Sequence, residues 1–164
     1  MKVKLTVNGE EHELDVEPRR LLSDVLRNEL QCFGVHHGCE HGVCGACTVL
    51  VNGEAARSCI MLAVQADGAE ILTTEGLGTP EHLSPVQAAF KAEHGLQCGF
   101  CTPGFVSMVT SILDDIDDMD DEQLRDTLSG NICRCTGYAN IINAARTASD
   151  LNSRGTCCQG GYCS

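Results

Sequence analysis

Two tight cysteine groups have spacing that suits metal–sulfur chemistry: Cys39, Cys44, Cys47 and Cys59, then Cys98, Cys101, Cys133 and Cys135. The first reads C-x4-C-x2-C-x11-C, and its first three members match the plant-type [2Fe–2S] ligand run. Four thiolates around two irons and two sulfides make a dianion when oxidised and a trianion when reduced. Such charge demands backbone N–H groups aimed at sulfur. Gly34, Gly38, Gly42 and Gly45 would let the loop 34–47 wrap closely and take up positive φ. Cys59 then closes the site from the following strand or turn. Structural zinc also takes four thiolates, but usually from two CxxC-like knuckles. One long glycine-rich loop is a different pattern.

In the second group, Cys98 and Cys101 stand as C-x2-C at the start of one expected helix. Cys133 and Cys135 stand as C-x1-C at the start of another. Helix N-termini carry partial positive charge and favour thiolates and anionic clusters. Spacing alone leaves a [2Fe–2S] cluster and a four-thiolate zinc site both open here. A neighbouring iron–sulfur site favours iron, because two metal centres in one small chain make most sense as a relay. The sequence shows no Walker loop, no flavin or nicotinamide glycine fingerprint and no nucleophile constellation. Its chemistry is read as one-electron transfer, tuned by burial, hydrogen bonds to sulfur and net charge.

Composition bounds the setting. The chain has 164 residues, 12 cysteines and a net charge of −12. Strong acidity argues against nucleic acid, whose phosphates need clustered Lys and Arg. No apolar run approaches the roughly 20 residues of a membrane span. Met1 to Val7 lack an apolar signal core, and the Arg19-Arg20 pair is followed by Asp24, Arg27 and Glu29 rather than by an apolar stretch. A cytoplasmic location is therefore expected, where disulfides are rare and clustered cysteines point to metals.

The elements that must position these thiols read as α+β. Residues 1–76 are β-rich. Val3, Leu5 and Val7 alternate with polar residues, Asn8-Gly9 turns, and His12, Leu14 and Val16 alternate on the way back. Leu21, Leu22, Val25, Leu26 and Leu30 predict a short amphipathic helix. Thr48–Val51 and Glu54–Ser58 form a second hairpin about Asn52-Gly53, and Glu70–Leu72 a fifth strand. A helix across a small mixed sheet is a β-grasp arrangement. Gly78 and Pro80 fall in a linker at 77–83.

Residues 84–152 read as four short helices, hence a bundle. Ser84-Pro85-Val86-Gln87 is a capping box, with Gly95 as the stop of that helix. Thr102-Pro103 opens a second helix that buries Phe105, Val106, Met108, Val109, Ile112 and Leu113. A third spans about 121–128, and a fourth begins at Tyr138, with Ile141, Ile142 and Ala145 on its inner face. Residues 153–164 form a Cys/Gly-rich tail.

Three long motifs then carry a resemblance. They are Gly38-Cys39-Glu40-His41-Gly42-Val43-Cys44-Gly45-Ala46-Cys47, Gln97-Cys98-Gly99-Phe100-Cys101-Thr102-Pro103-Gly104 and Asn131-Ile132-Cys133-Arg134-Cys135-Thr136-Gly137-Tyr138. In order and spacing the chain resembles, over about residues 3–150, the small iron–sulfur subunit of the molybdenum hydroxylase (xanthine oxidase / carbon monoxide dehydrogenase) family. The resemblance implies a β-grasp, ferredoxin-like [2Fe–2S] domain followed by a four-helix-bundle [2Fe–2S] domain. It implies a molybdopterin-binding large subunit and an FAD-binding medium subunit in a dimer of heterotrimers. Electrons would pass from molybdenum to the C-terminal cluster, then to the N-terminal cluster, then to flavin. Gln97 and Cys135 would lie nearest the pterin, Cys135 also as a cluster ligand. No substrate-transforming site is expected in this chain, and carbon monoxide, aldehydes, purines, N-heteroaromatics and an aromatic thioester all stay open as substrates. A free-standing two-cluster ferredoxin is the alternative; it has no pterin to contact.

Other residues read more plainly. His36, His37 and His41 are surface or supporting residues, because four cysteines already fill the first site. The acid-rich run Asp114 to Glu122 is a solvated loop and helix start. Cys32 is expected as a buried free thiol, and Cys157, Cys158 and Cys163 as spare thiols of the tail.

Overall fold

The computed structural model describes residues 1–154; Cys157, Cys158 and Cys163 lie outside them. Two strands, β1 (Lys2–Val7) and β2 (Glu10–Asp15), pair antiparallel with Val3 opposite Leu14 and Leu5 opposite His12. Asn8 (φ 53°) and Gly9 (φ 86°) supply the left-handed pair that a tight two-residue hairpin needs. The second hairpin joins β3 (Thr48–Val51) to β4 (Glu54–Arg57) through Asn52 (φ 52°) and Gly53 (φ 87°). Between the hairpins lies β5 (Glu70–Leu72), parallel to β1 and antiparallel to β3, giving the order β2-β1-β5-β3-β4.

The inner sheet face buries Val3, Leu5, Val7, Val49 and Ile71 against Leu22, Val25 and Leu26. The expected amphipathic helix is mostly not α-helical. One turn, α1 (Leu22–Asp24), runs into a wider π-type turn over Val25–Glu29, where the Leu30 amide reaches back five residues to the Val25 carbonyl at 3.1 Å. The Arg27 guanidinium caps the carbonyls of Phe33 and Val35 at 2.7 and 2.6 Å, so the chain folds back over the helix end. Apolar spacing alone does not register that bend.

The remaining helices are α2 (Pro85–Ala92), α3 (Thr102–Ser111), α4 (Asp121–Leu128) and α5 (Ala139–Ser153). Ser84 with Gln87, and Asp120 with Gln123, form reciprocal capping boxes at α2 and α4. Phe90, Phe105, Ile116, Leu124 and Ile141 make the second core. Its details correct three expectations. The left-handed stop of α2 is His94 (φ 53°), while Gly95 answers a need for space, since a Cβ there would sit 3.0 Å from the Phe90 ring. Tyr138 is not the first residue of α5 but its left-handed N-cap (φ 69°). Met108, Ile112 and Leu113 are only partly buried, because α3 also turns Gly104 and Ser107 inward and packs on β3.

The acids of the acid-rich run are all exposed, as a solvated loop and helix start would have them, and several of its groups are anchored to α5. Arg146 on α5 donates to the carbonyls of Ile116 (2.6 Å) and Met119 (2.8 Å) and to Asp121 (3.1 Å), and Ser149 donates to Asp117 (2.7 Å). Among the described residues no helix is long and apolar enough to cross a membrane.

Two substitutions test this packing. Phe90 is 1% exposed, so Phe90→Ala should lower the unfolding free energy by about 3–5 kcal/mol, measurable by denaturant melts. A Cβ on Gly104 would run into the Gly45 backbone carbonyl. Alanine inside a helix normally gains about 1 kcal/mol over glycine, so a net loss of stability in Gly104→Ala would report that close approach.

Candidate metal centres

The first thiol group lies on the loop between α1 and β3, with one member beyond β4. Cys39 and Cys44 are partly exposed, whereas Cys47 and Cys59 are buried. Cys59 sits in the single turn Ser58–Ile60 rather than on a strand. That turn is fastened to the loop: Ser58 donates through its hydroxyl (2.7 Å) and its amide (3.4 Å) to the Cys47 carbonyl. Of the four loop glycines expected to use positive φ, only Gly42 (83°) and Gly45 (74°) do. Gly38 is needed for space, as a Cβ there would lie 2.9 Å from the Cys44 sulfur. Gly34 instead donates its amide to Glu75 at 2.6 Å.

The electrostatics favour thiolate at one end of this group. The backbone amide of Cys44 donates to the Cys39 sulfur at 3.3 Å. That amide, then the one of His41, hold the Cys39 pKa down to about 6. Burial, then the neighbouring Cys47 thiol, push Cys59 up to about 11. A metal cation removes such a proton outright.

The second group brings the segment ahead of α3 to the turn ahead of α5, with Cys98 and Cys135 in contact and exposed. Cys101 is the N-cap of α3. Cys133 and Cys135 lie in the turn ahead of α5, several residues before its first turn, so only one helix start faces this group directly. Thr136 supplies what the second helix was expected to give: its amide and hydroxyl approach the Cys133 sulfur at 3.4 and 3.1 Å. Burial opposes ionisation of Cys133, but donations led by Thr136 outweigh it and lower its pKa. Burial, then the Cys133 thiol, push Cys101 up to about 12. Cys135 is raised first by its hydrogen bond with Cys98.

Sulfurs gather in pairs at both sites. Cys98 and Cys135 are 3.6 Å apart and exposed; Cys101 pairs with Cys133, Cys47 with Cys59 and Cys39 with Cys44. Paired thiols of this kind suit a binuclear cluster, in which each iron takes two thiolates. The donor chemistry, the amide donors at sulfur and the Gly38 cradle all fit a [2Fe–2S] group.

The two groups are cross-linked. The Ile132 amide donates to the Cys44 carbonyl at 2.9 Å, next to Cys133. His36 stacks on Phe100 with ring centroids 4.9 Å apart, and its Nδ1 lies 2.6 Å from the Phe100 carbonyl oxygen. Buried Asn131 donates to the Gly45 carbonyl at 3.0 Å. His37 lies 3.8 Å from Glu40, and His41 meets the Cys39 carbonyl. Gln97 is exposed beside Cys98. Cys32 is buried, and burial then Glu75 raise its pKa. The contacts of Thr136, His36 and Asn131 are absent from the sequence reading; only that of Thr136 is local enough to be legible there.

Comparison with known proteins closes the identification. Residues 5–73 match the 2Fe-2S iron-sulfur cluster binding domain, and residues 73–146 the [2Fe-2S] binding domain. The chain is 53% identical over 150 residues to the caffeine dehydrogenase subunit gamma of Pseudomonas sp. (strain CBB1), covering 90% of each. It is 47% identical over 148 residues to the nicotine 6-hydroxylase small subunit of Paenarthrobacter nicotinovorans, covering 90% and 89%. Quinoline 2-oxidoreductase from Pseudomonas putida 86 superposes with a TM-score of 0.88 at 44% identity, over 94% of this chain and 97% of that one. The aldehyde oxidoreductase of Desulfovibrio gigas gives 0.89 at 43% identity, over 95% of this chain but 18% of that much longer one. With two [2Fe–2S] binding domains end to end and these relatives, the chain belongs to the iron–sulfur subunits of the molybdenum hydroxylase family.

Proposed function

We propose that this chain relays electrons from a molybdopterin site on a large partner subunit, through two [2Fe–2S] clusters, to FAD on a medium subunit. Cys39, Cys44, Cys47 and Cys59 would hold the first cluster, and Cys98, Cys101, Cys133 and Cys135 the second. When bound, these clusters supply one-electron transfer. The observation that carries the reading is the short bridge between the groups, the Ile132 amide on the Cys44 carbonyl at 2.9 Å. It joins residues that are, or directly precede, ligands of opposite sites.

The rest of the chain serves that relay. Amide donors at Cys39 and Cys133 hold negative sulfur in place. Cys98, Cys135 and Gln97 share exposure at one face, which supports pterin contact by Gln97 and Cys135. Exposed apolar side chains flank each site, Val43 and Ile60 at the first, Leu96, Ile132 and Tyr138 at the second. Such residues suit partner burial. The match to a small portion of a much longer aldehyde oxidoreductase chain supports working contact with a larger catalytic unit. We read the fold as a β-grasp domain followed by a four-helix bundle, divided near residues 77–83. We place the complex, a dimer of heterotrimers, in the cytoplasm, with substrate conversion wholly on the partner. Relatives named for caffeine, nicotine and quinoline stand beside aldehyde oxidoreductases of similar identity, so substrate choice belongs to the partner subunit.

Native purification with metal counting tests the assembly. Two larger chains with molybdenum, FAD and about four irons per copy of this chain are expected; an iron-loaded chain alone would mean a diffusible ferredoxin. Replacing Cys135 by serine should damage the second cluster's signal, leave the first, and slow reoxidation of molybdenum. Cys157→Ser and Cys158→Ser should leave both signals intact, read by electron paramagnetic resonance.

A further inference from the structure

Arg57 bonds to both halves of the molecule. Its guanidinium donates to the Thr48 hydroxyl at 2.6 Å, to the Gly130 carbonyl at 2.7 Å and to the Asn131 side-chain oxygen at 3.1 Å. Thr48 follows Cys47, Arg57 precedes Cys59 by two residues, and Asn131 precedes Cys133 by two. Asn131, 1% exposed, passes the connection on to the Gly45 carbonyl. Arg27 and Arg146, by contrast, each bond within their own half. Arg134, between two ligands, is exposed.

We infer that Arg57 is a shared pin between the two iron–sulfur sites: its fork fixes how the sites face each other, and its charge raises the reduction potential of both. The inference rests on the ligand assignment above. Each site becomes more negative by one charge on reduction, so a fixed cation beside it favours the reduced form. The planar fork reaches three acceptors at once, which a lysine ammonium on a flexible stem does not reproduce. Partial burial limits screening by salt. Arg57 touches neither sulfur nor iron; it acts as a positioning residue.

The test is a redox titration of the intact complex, followed by electron paramagnetic resonance, for Arg57→Met, Arg57→Gln and Arg57→Lys. At a fixed applied potential the reduced-to-oxidised ratio of both clusters should fall roughly tenfold in the Met and Gln variants. Lys should restore both ratios but weaken the magnetic coupling between the two reduced clusters, because charge returns and the fork does not. Gln retains one amide donor and decides the matter if Met does not assemble. Unshifted potentials in a neutral variant that shows both signals, or a shift confined to one cluster, would overturn the pin. Failure of the unaltered complex to show two cluster signals would overturn the ligand assignment instead.

Discussion

Two backbones meet where no side chain fits, and the rest of the molecule depends on it. Gly104, in the first turn of α3, lies against the Gly45 carbonyl, and Gly45 lies against Gly130 and Asn131. That contact sets the first thiol loop on the second pair of thiol-bearing segments. Asn131, Thr48 and Arg57 satisfy the Gly45 and Gly130 carbonyls and one another there. A buried polar junction of this kind is stable only when every member finds its partner. Its worth lies in fixing geometry, and one-electron transfer needs fixed geometry.

Each half provides a different answer to the same electrostatic demand. The first loop offers amides, crowding its backbone at Gly38, Gly42 and Gly45 so that donors approach sulfur. The second offers the start of α3 and the Thr136 side chain. In both, thiols that ionise early sit with thiols that hold their protons. Metal binding must therefore carry part of the cost of deprotonation.

How much is legible in the sequence follows the range of each interaction. The hairpins at Asn8-Gly9 and Asn52-Gly53 and the capping box at Ser84 are contained within a few residues, and the structure has them where the sequence places them. The cysteine spacing is legible for the same reason. The π-type turn at Val25–Glu29 is not, because Arg27 bends the chain through carbonyls lying beyond it. Gly45 reads as a glycine of the metal loop. Its partner Asn131 lies 86 residues away, a distance across which spacing carries no information. Tyr138 at φ 69° is unreadable too, since a bulky left-handed residue runs against propensity.

The parallel pairing of β1 with β5 also orders events in time. The sheet closes only when Glu70–Leu72 reach β1, a long-range pairing and so a slow one. Chain order puts all four thiols of the first group ahead of Glu70–Leu72, and Cys98 and those after it behind them. N-terminal units fold first during synthesis. Vectorial translation thus releases the first thiol group ahead of the second.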